Sequence, residues 1–163
     1  MKIQKGKIYN RAGGTSYSNC AVLWDGTMFT PEVHLSAEDL VEMGVKDSYN
    51  FGPPLIENGK KVNYNMANSA NSWTLVSYKD PRSAVGMISK GHYVLLVADG
   101  RGAGSSLGLT RSDMQQIFAG FGCVYAYNMD GGGSATLAYR GTVLNNPSDG
   151  SERACGDFLL FKE

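Results

Sequence analysis

Polar and apolar side chains alternate from Ile3 to Tyr9, the period of a strand with one buried face, and Lys2, Lys5 and Lys7 suit a sheet edge. The run Ala21-Val22-Leu23-Trp24 stops at Asp25-Gly26 and resumes over Thr27 to Thr30, which predicts a hairpin. The period then changes. Ser36 stands three residues ahead of Asp39, and Leu40, Val41 and Met43 follow before Gly44, so the spacing predicts a capped helix over 37–43. Further on, Pro54 to Glu57 and Lys60 to Val62 flank Asn58-Gly59, a pair that accepts positive φ at both central positions of a tight hairpin. Residues 63–72 are rich in Asn and Ser and offer little to bury, which predicts a loop or lid. Strands are expected at Trp73 to Tyr78, Ala84 to Ser89 and His92 to Ala98, the last two joined across Lys90-Gly91 and forming the middle of the sheet. Thr110 and Asp113 repeat the capping pattern and open a helix over 114–119, with Met114, Ile117 and Phe118 on one face and Gly120 and Gly122 at its end. Cys123 to Met129, Ala135 to Arg140 and Phe158 to Phe161 complete the expected strands.

A chain of 163 residues, 42% hydrophobic, supports one sizeable core and predicts a single domain. Fifteen basic residues balance fifteen acidic ones, so the overall field gives no reason to expect nucleic acid, and any anion site must be local. The longest apolar runs fall far short of the roughly 20 residues needed to cross a bilayer, and no membrane insertion is expected. No secretory signal is read at the N-terminus, because no apolar stretch follows Lys2, Lys5 and Lys7. Cys20, Cys123 and Cys155 are odd in number and lack zinc spacing, which argues against a disulfide framework, and the apolar neighbours of Cys123 and Cys155 predict structural thiols there.

Candidate chemistry gathers at Asn128-Met129-Asp130-Gly131-Gly132-Gly133-Ser134. On a strand from Cys123 to Asp130, Asn128 and Asp130 would point the same way, and the glycines that follow would let backbone N–H groups converge on an anion, with the Ser134 hydroxyl as a further donor. The same residues also read as a glycine-rich corner with Asp130 capping the turn. Asp99-Gly100-Arg101 leaves the strand at 92–98 with an acid and a cation, or forms an ordinary turn. Arg82 and Arg153 offer two more guanidinium groups suited to phosphate. His34 and His92 pair with no nucleophile or metal ligand at readable spacing, and Gly132-Gly133-Ser134-Ala135-Thr136 is not a nucleophile elbow, which disfavours a serine hydrolase.

Five stretches in order carry a resemblance: Phe51 to Lys60; Pro81 to Gly86; Asp99-Gly100-Arg101 with Gly108-Leu109-Thr110; Tyr127 to Leu137; and Glu152 to Asp157. Together they resemble the phosphodiester glycosidase family over most of the chain. The resemblance implies an α+β domain, a mixed and strongly twisted sheet with two or more short helices packed on it. It also implies hydrolysis of the bond between a sugar's anomeric carbon and a phosphodiester oxygen. On that basis Asp130 or Asp99 is expected to be the acid/base or water-orienting group, and Arg82, Arg101 and Arg153 the phosphate ligands. Asn128 and Ser134 are expected to position the sugar, beside Gly131, Gly132, Gly133 and Thr136. The expected partner is a phosphate-linked sugar or glycoconjugate. No cofactor is expected; a bound divalent metal, the oligomeric state and the location are left open. Family members usually carry an Asn-Gly-rich strand and turn upstream, and are typically extracellular or lysosomal. A microbial or phage-encoded module accommodates both departures. The competing readings are a non-catalytic glycan- or phosphate-binding module and a structural or oligomerisation domain.

Overall fold

The computed structural model of the chain describes residues 1–11, 19–32, 34–63, 78–156 and 158–161. The N-terminal segment is a hairpin rather than one strand: β1 (Lys2–Gln4) and β2 (Lys7–Asn10) turn across Lys5 and Gly6, both at positive φ. β3 (Asn19–Leu23) and β4 (Met28–Phe29) form the hairpin expected around Asp25-Gly26. The helix α1 (Ala37–Glu42) starts at Ser36, whose hydroxyl accepts from the Asp39 N–H while the Asp39 carboxylate accepts from the Ser36 N–H. β5 (Val45–Asn50), absent from the expected strands, pairs antiparallel with β3. β6 (Pro54–Glu57) and β7 (Lys60–Lys61) meet across Asn58 and Gly59 at φ 51° and 74°, as that dipeptide requires.

β8 (Arg82–Ser89), β9 (His92–Ala98), α2 (Arg111–Gly120) and β10 (Tyr125–Asn128) follow, α2 beginning at a Thr110–Asp113 capping box. A short hairpin, β11 (Ala138–Tyr139) and β12 (Thr142–Val143), replaces the strand expected over 135–140, and 158–161 is irregular rather than extended in a sheet. Of the loop expected over 63–72 all but Asn63 lies outside the described residues, as does the strand expected over 73–78 apart from Tyr78.

Every described pairing is antiparallel. The order β7-β6-β10-β8-β9 makes β10 the centre of the larger sheet and β9 an edge among the described strands, where the sequence suggested a central pair β8–β9. Alternation along β8 and β10 divides the core. Ala84 and Ala126 face α2, meeting Met114 and Phe118, and Gly86 sits so close beneath that helix that a Cβ would lie 2.5 Å from the Phe118 ring. Val85, Met87, Tyr125 and Tyr127 face the other way, against Cys20 and Met28 of the three-stranded sheet β4-β3-β5. That second sheet turns Ala21 and Val45 toward Leu40 of α1 and Ile3 of β1. The result is an α+β arrangement of helix, sheet, sheet and helix, with the C-terminal end of β10 opening onto a surface of loops. Among the described residues no helix is long and apolar enough to cross a membrane.

Candidate active site

β10 delivers two polar residues to opposite fates. Asn128, the last residue of the strand, is 4% exposed and donates from Nδ2 to the Gly52 carbonyl at 2.7 Å. Its backbone N–H reaches the Pro53 carbonyl and its carbonyl accepts from Gly52, so it staples the 52–53 turn to the strand end. Its Oδ1 is buried with no partner among the described residues. Asp130 lies beyond the strand and is exposed. The strand ends before the alternation reaches Asp130, and of the two only Asp130 lines the adjacent cleft.

The glycine run after Asp130 is a tight 3-10 turn over Gly132–Ser134 rather than an open ring of N–H donors. Asp130 Oδ1 accepts from the Gly131 N–H at 2.7 Å, the Gly132 N–H reaches the Pro81 carbonyl, and the Ser134 N–H closes on the Gly131 carbonyl. What the glycines provide is close approach. A Cβ on Gly131 would lie 2.6 Å from the Pro81 carbonyl oxygen, and one on Gly132 3.0 Å from Arg101 Nη2. One on Gly133 would overlap the Asp149 carboxylate and the Arg153 guanidinium. The turn is a bare platform carrying two ion pairs.

Those pairs are Arg101 with Asp80, where Nε–Oδ1 is 2.8 Å and Nη2–Oδ2 3.2 Å, and Arg153 with Asp149 at 2.6 Å. The hydrogen bond to Asp149 and that carboxylate's charge push Arg153 above its ordinary pKa against desolvation, with a further contribution from the charge of Asp130. Asp149 is correspondingly held below the usual carboxylate range by its bond to Arg153, against desolvation, with the charges of Arg153 and Arg101 adding. Arg101, Asp149, Arg153 and Asp130 thus form one charged cluster.

The described hydrogen bonds of Arg82 and Asp99 go to groups outside it. Arg82 is 6% exposed; its Nε donates to the Leu109 carbonyl and its Nη2 to the Tyr78 carbonyl. Burial lowers its pKa, the charge of Asp80 opposes this and that of Arg101 adds to it. Asp99 accepts from Asn145 Nδ2 at 3.1 Å, from the Asn146 N–H at 2.8 Å and from Asn146 Nδ2 at 2.7 Å. Burial would raise the Asp99 pKa, but these hydrogen bonds outweigh it and hold the carboxyl below 3.8.

Between the outer part of β8 and β9, the turn at 130–137, the β11–β12 hairpin and the chain at 152–156 and 158–161 lies a cleft of about 1170 Å³. Ser83, Asp130, Ser134, Thr136, Glu152 and Arg153 give it a polar end, and Leu95, Val97 and Phe161 an apolar wall. Asn128, Asp99, Arg82 and Arg101 do not line it. Ser83 ties the two sides together by donating from Oγ to the Asp130 carbonyl at 2.6 Å.

A family model described as phosphodiester glycosidase matches residues 1–162. The chain belongs to the phosphodiester glycosidase family. Among relatives, a protein of Bacillus subtilis (strain 168) described as SPbeta prophage-derived uncharacterized protein YomE is 38% identical over 95% of this chain and 23% of its own length. The N-acetylglucosamine-1-phosphodiester alpha-N-acetylglucosaminidase of Mus musculus is 27% identical over 90% of this chain and 30% of its own. The chain therefore spans less than a third of those proteins. The zebrafish catalytic domain of that glucosaminidase, auto-inhibited by its pro-peptide, superposes with a TM-score of 0.72 at 24% identity, covering 90% of this chain and 50% of its own. A hypothetical protein from Synechocystis superposes at 0.56 and 19% identity. These superpositions support the α+β fold expected of a phosphodiester glycosidase.

Within this member of the phosphodiester glycosidase family, sequence reasoning brought forward Asp130, Ser134, Thr136 and Arg153 of the cleft. It missed Ser83 and Asp149, and read Glu152 only as the neighbour of Arg153. The i, i+4 spacing of Asp149 and Arg153 was the legible signal for their pairing. Nothing local announces Asp80 as the partner of Arg101, 21 residues away.

Proposed function

We propose that the chain hydrolyses a sugar-1-phosphodiester, releasing the sugar from a phosphate-linked glycoconjugate. The observation that carries this reading is a cleft of about 1170 Å³ whose polar end holds a carboxylate, Asp130, beside a guanidinium, Arg153, with the hydroxyls of Ser83, Ser134 and Thr136 around them. Cleaving at the anomeric carbon leaves a phosphate that is already an anion, so the step calls for cations on the phosphate and a carboxylate that directs water or steadies an oxocarbenium-like centre. Arg153 serves the first need. Of its five N–H groups, Nη2 holds Asp149, and the planar fork suits a phosphate placed over the glycine platform. Asp130 serves the second. Its Oδ1 is held by the Gly131 N–H, and the residue lines the cleft. Ser134 and Thr136 hydrogen-bond the sugar.

In this reading Asp99, Arg82, Asn128 and Arg101 are positioning residues. Asp99 anchors the 145–146 turn, Arg82 ties Tyr78 to Leu109, and Asn128 fixes the strand end before Asp130. Arg101 sits against Gly132 and adds positive charge beside Asp149. Family membership and the activity named for the mouse relative support N-acetylglucosamine as the first sugar to test.

The test is sugar release from a panel of sugar-1-phosphodiesters, including UDP-N-acetylglucosamine, by wild type and Asp130→Asn after both are shown to be folded. Loss of a carboxylate acting in proton transfer is expected to slow hydrolysis by about 10²–10⁴-fold. A variant with the full wild-type rate would remove Asp130 from the mechanism. Binding without hydrolysis by wild type would favour a glycan- or phosphate-binding module instead.

A further inference from the structure

Three hydrogen bonds converge on a side chain that does not touch the cleft. Asn145 Nδ2 donates to the Ala135 carbonyl at 2.9 Å and to Asp99 Oδ1 at 3.1 Å, while its Oδ1 accepts from the Leu137 N–H at 2.8 Å. One amide therefore grips the backbone on both sides of Thr136. The Leu144 N–H adds a bond to the Leu137 carbonyl at 2.8 Å. Ser134, Thr136 and Leu137 line the cleft, whereas Asn145, Asn146 and Asp99 stand behind it.

The orientation of the amide is fixed by chemistry. A carboxylate only accepts, so Asp99 must face Nδ2, and that leaves Oδ1 for the Leu137 N–H. Asp99 is held in turn by the backbone and side chain of Asn146. A chain of hydrogen bonds, charge-assisted at Asp99, thus runs from Asp99 through Asn145 to the backbone that presents Thr136.

We infer that Asn145 is a positioning residue of this site, acting on the bound sugar through Thr136. The inference rests on the hydrolase reading above and extends it to a residue outside the cleft. Because the grip is on backbone atoms flanking Thr136, releasing it lets the hydroxyl drift from the sugar without removing any group that contacts substrate. A displacement on the order of 1 Å is enough to slow an enzyme by up to about a hundredfold.

A double-mutant cycle separates this role from general support of the fold. Hydrolysis of UDP-N-acetylglucosamine, or of whichever panel member wild type cleaves best, is measured for wild type, Asn145→Ala, Thr136→Val and the double variant. Both single variants are expected to lose about tenfold or more in kcat/KM, and the double variant to be no slower than the worse single. Amide exchange at Leu137 is expected to quicken in Asn145→Ala. Losses that multiply in the double variant, with sugar release intact in wild type, would overturn the positioning role and leave the hydrolase reading standing. If wild type binds but does not cleave, the cycle is read in binding affinity by calorimetry with the same criterion. Neither cleavage nor binding by folded wild type would overturn both. Should Asn145→Ala fail to fold, Asn145→Ser, which keeps a short polar group at that position, takes its place in the cycle.

Discussion

The three consecutive glycines make a graded experiment, because each is close to a different kind of neighbour. In Gly131→Ala the new methyl meets the Pro81 carbonyl oxygen at 2.6 Å, a backbone atom that cannot move aside alone, and overpacking of that kind costs about 1–3 kcal/mol. Gly132 stands at φ 60°, so Gly132→Ala forces an L-residue into the left-handed region at about 1–2 kcal/mol and also displaces the Arg101 guanidinium. Gly133 is outside the left-handed region, and the atoms nearest its methyl would be the ends of Asp149 and Arg153, whose side chains are 41% and 48% exposed. Those ends swing into solvent, so Gly133→Ala is expected to change stability by no more than about 0.5 kcal/mol. At about 2–4 °C per kcal/mol for a chain of this size, the first two variants melt about 2–12 °C lower and the third melts with wild type. Activity inverts the order for the third. Losing one charge-assisted hydrogen bond from Arg153 to phosphate, worth about 1.5–3 kcal/mol, slows hydrolysis roughly ten- to a hundredfold in a protein of wild-type stability. Melting curves and kcat/KM on the same preparations decide the matter. A Gly133→Ala variant with full activity would show that the seat of Arg153 on the glycine platform has no part in the reaction. Equal melting of all three would show that the platform is not close-packed.

Other consequences are open to direct measurement. Gly86→Ala drives a methyl to 2.5 Å from the Phe118 ring and 2.8 Å from Cys123 Sγ, so it is expected to destabilise by about 1–3 kcal/mol in urea, and a neutral result would refute the close packing of α2 on β8. Burial pushes the Cys20 thiol up to about 12, with only partial relief from Tyr125. Cys20 should therefore stay unmodified by a thiol reagent at pH 8 until the protein unfolds, while the half-buried Cys155 reacts first. Asp99 has a folded-state pKa below 3.8, so its contribution to stability is present above that pH and is lost as pH falls through the lower folded value. The gap in urea midpoint between wild type and Asp99→Asn is expected to be widest near pH 7 and to close below pH 4, and a gap independent of pH would contradict the role of the carboxylate.

Where a local rule had a single reading, the sequence was enough. Both helices start at a hydroxyl residue followed three positions later by Asp, and the structure closes both capping boxes. Asn58-Gly59 turns the β6–β7 hairpin because both residues tolerate positive φ. The hairpin at Lys5-Gly6 was read as continuous strand for the converse reason. Lysine at φ 51° has no local preference for that conformation, and what holds it is tertiary: the Lys5 N–H reaches the Asp47 carboxylate and the Gly6 N–H the Lys46 carbonyl. β5 was missed because Val45 and Ser48 are buried at a spacing of three, which breaks the period of two that marks a strand. The irregular path of 158–161 was equally unreadable, since four consecutive large apolar side chains carry no period to distinguish a strand from a strap.

The site divides along the same physical line. Residues that line the cleft, Asp130, Ser134, Thr136 and Arg153, lie on short stretches whose composition alone marks them as polar turns with chemistry to offer. Residues that hold them are recognisable only through partners distant in the chain: Asp80 for Arg101, and Asn145 and Asn146 for Asp99 across 46 and 47 positions. Asp99 shows why residue type cannot separate the two classes. A carboxylate at the end of an apolar strand is equally suited to catalysis or to anchoring, and the count of donors around it decides which. Three N–H groups occupy most of the acceptor sites of Asp99, as an anchor requires, whereas in the described contacts Asp130 accepts a single backbone N–H and lines the cleft. The proposed catalytic role therefore goes to the carboxylate with more unused acceptor capacity, and the sequence, which shows both acids beside glycine, had no means of ranking them.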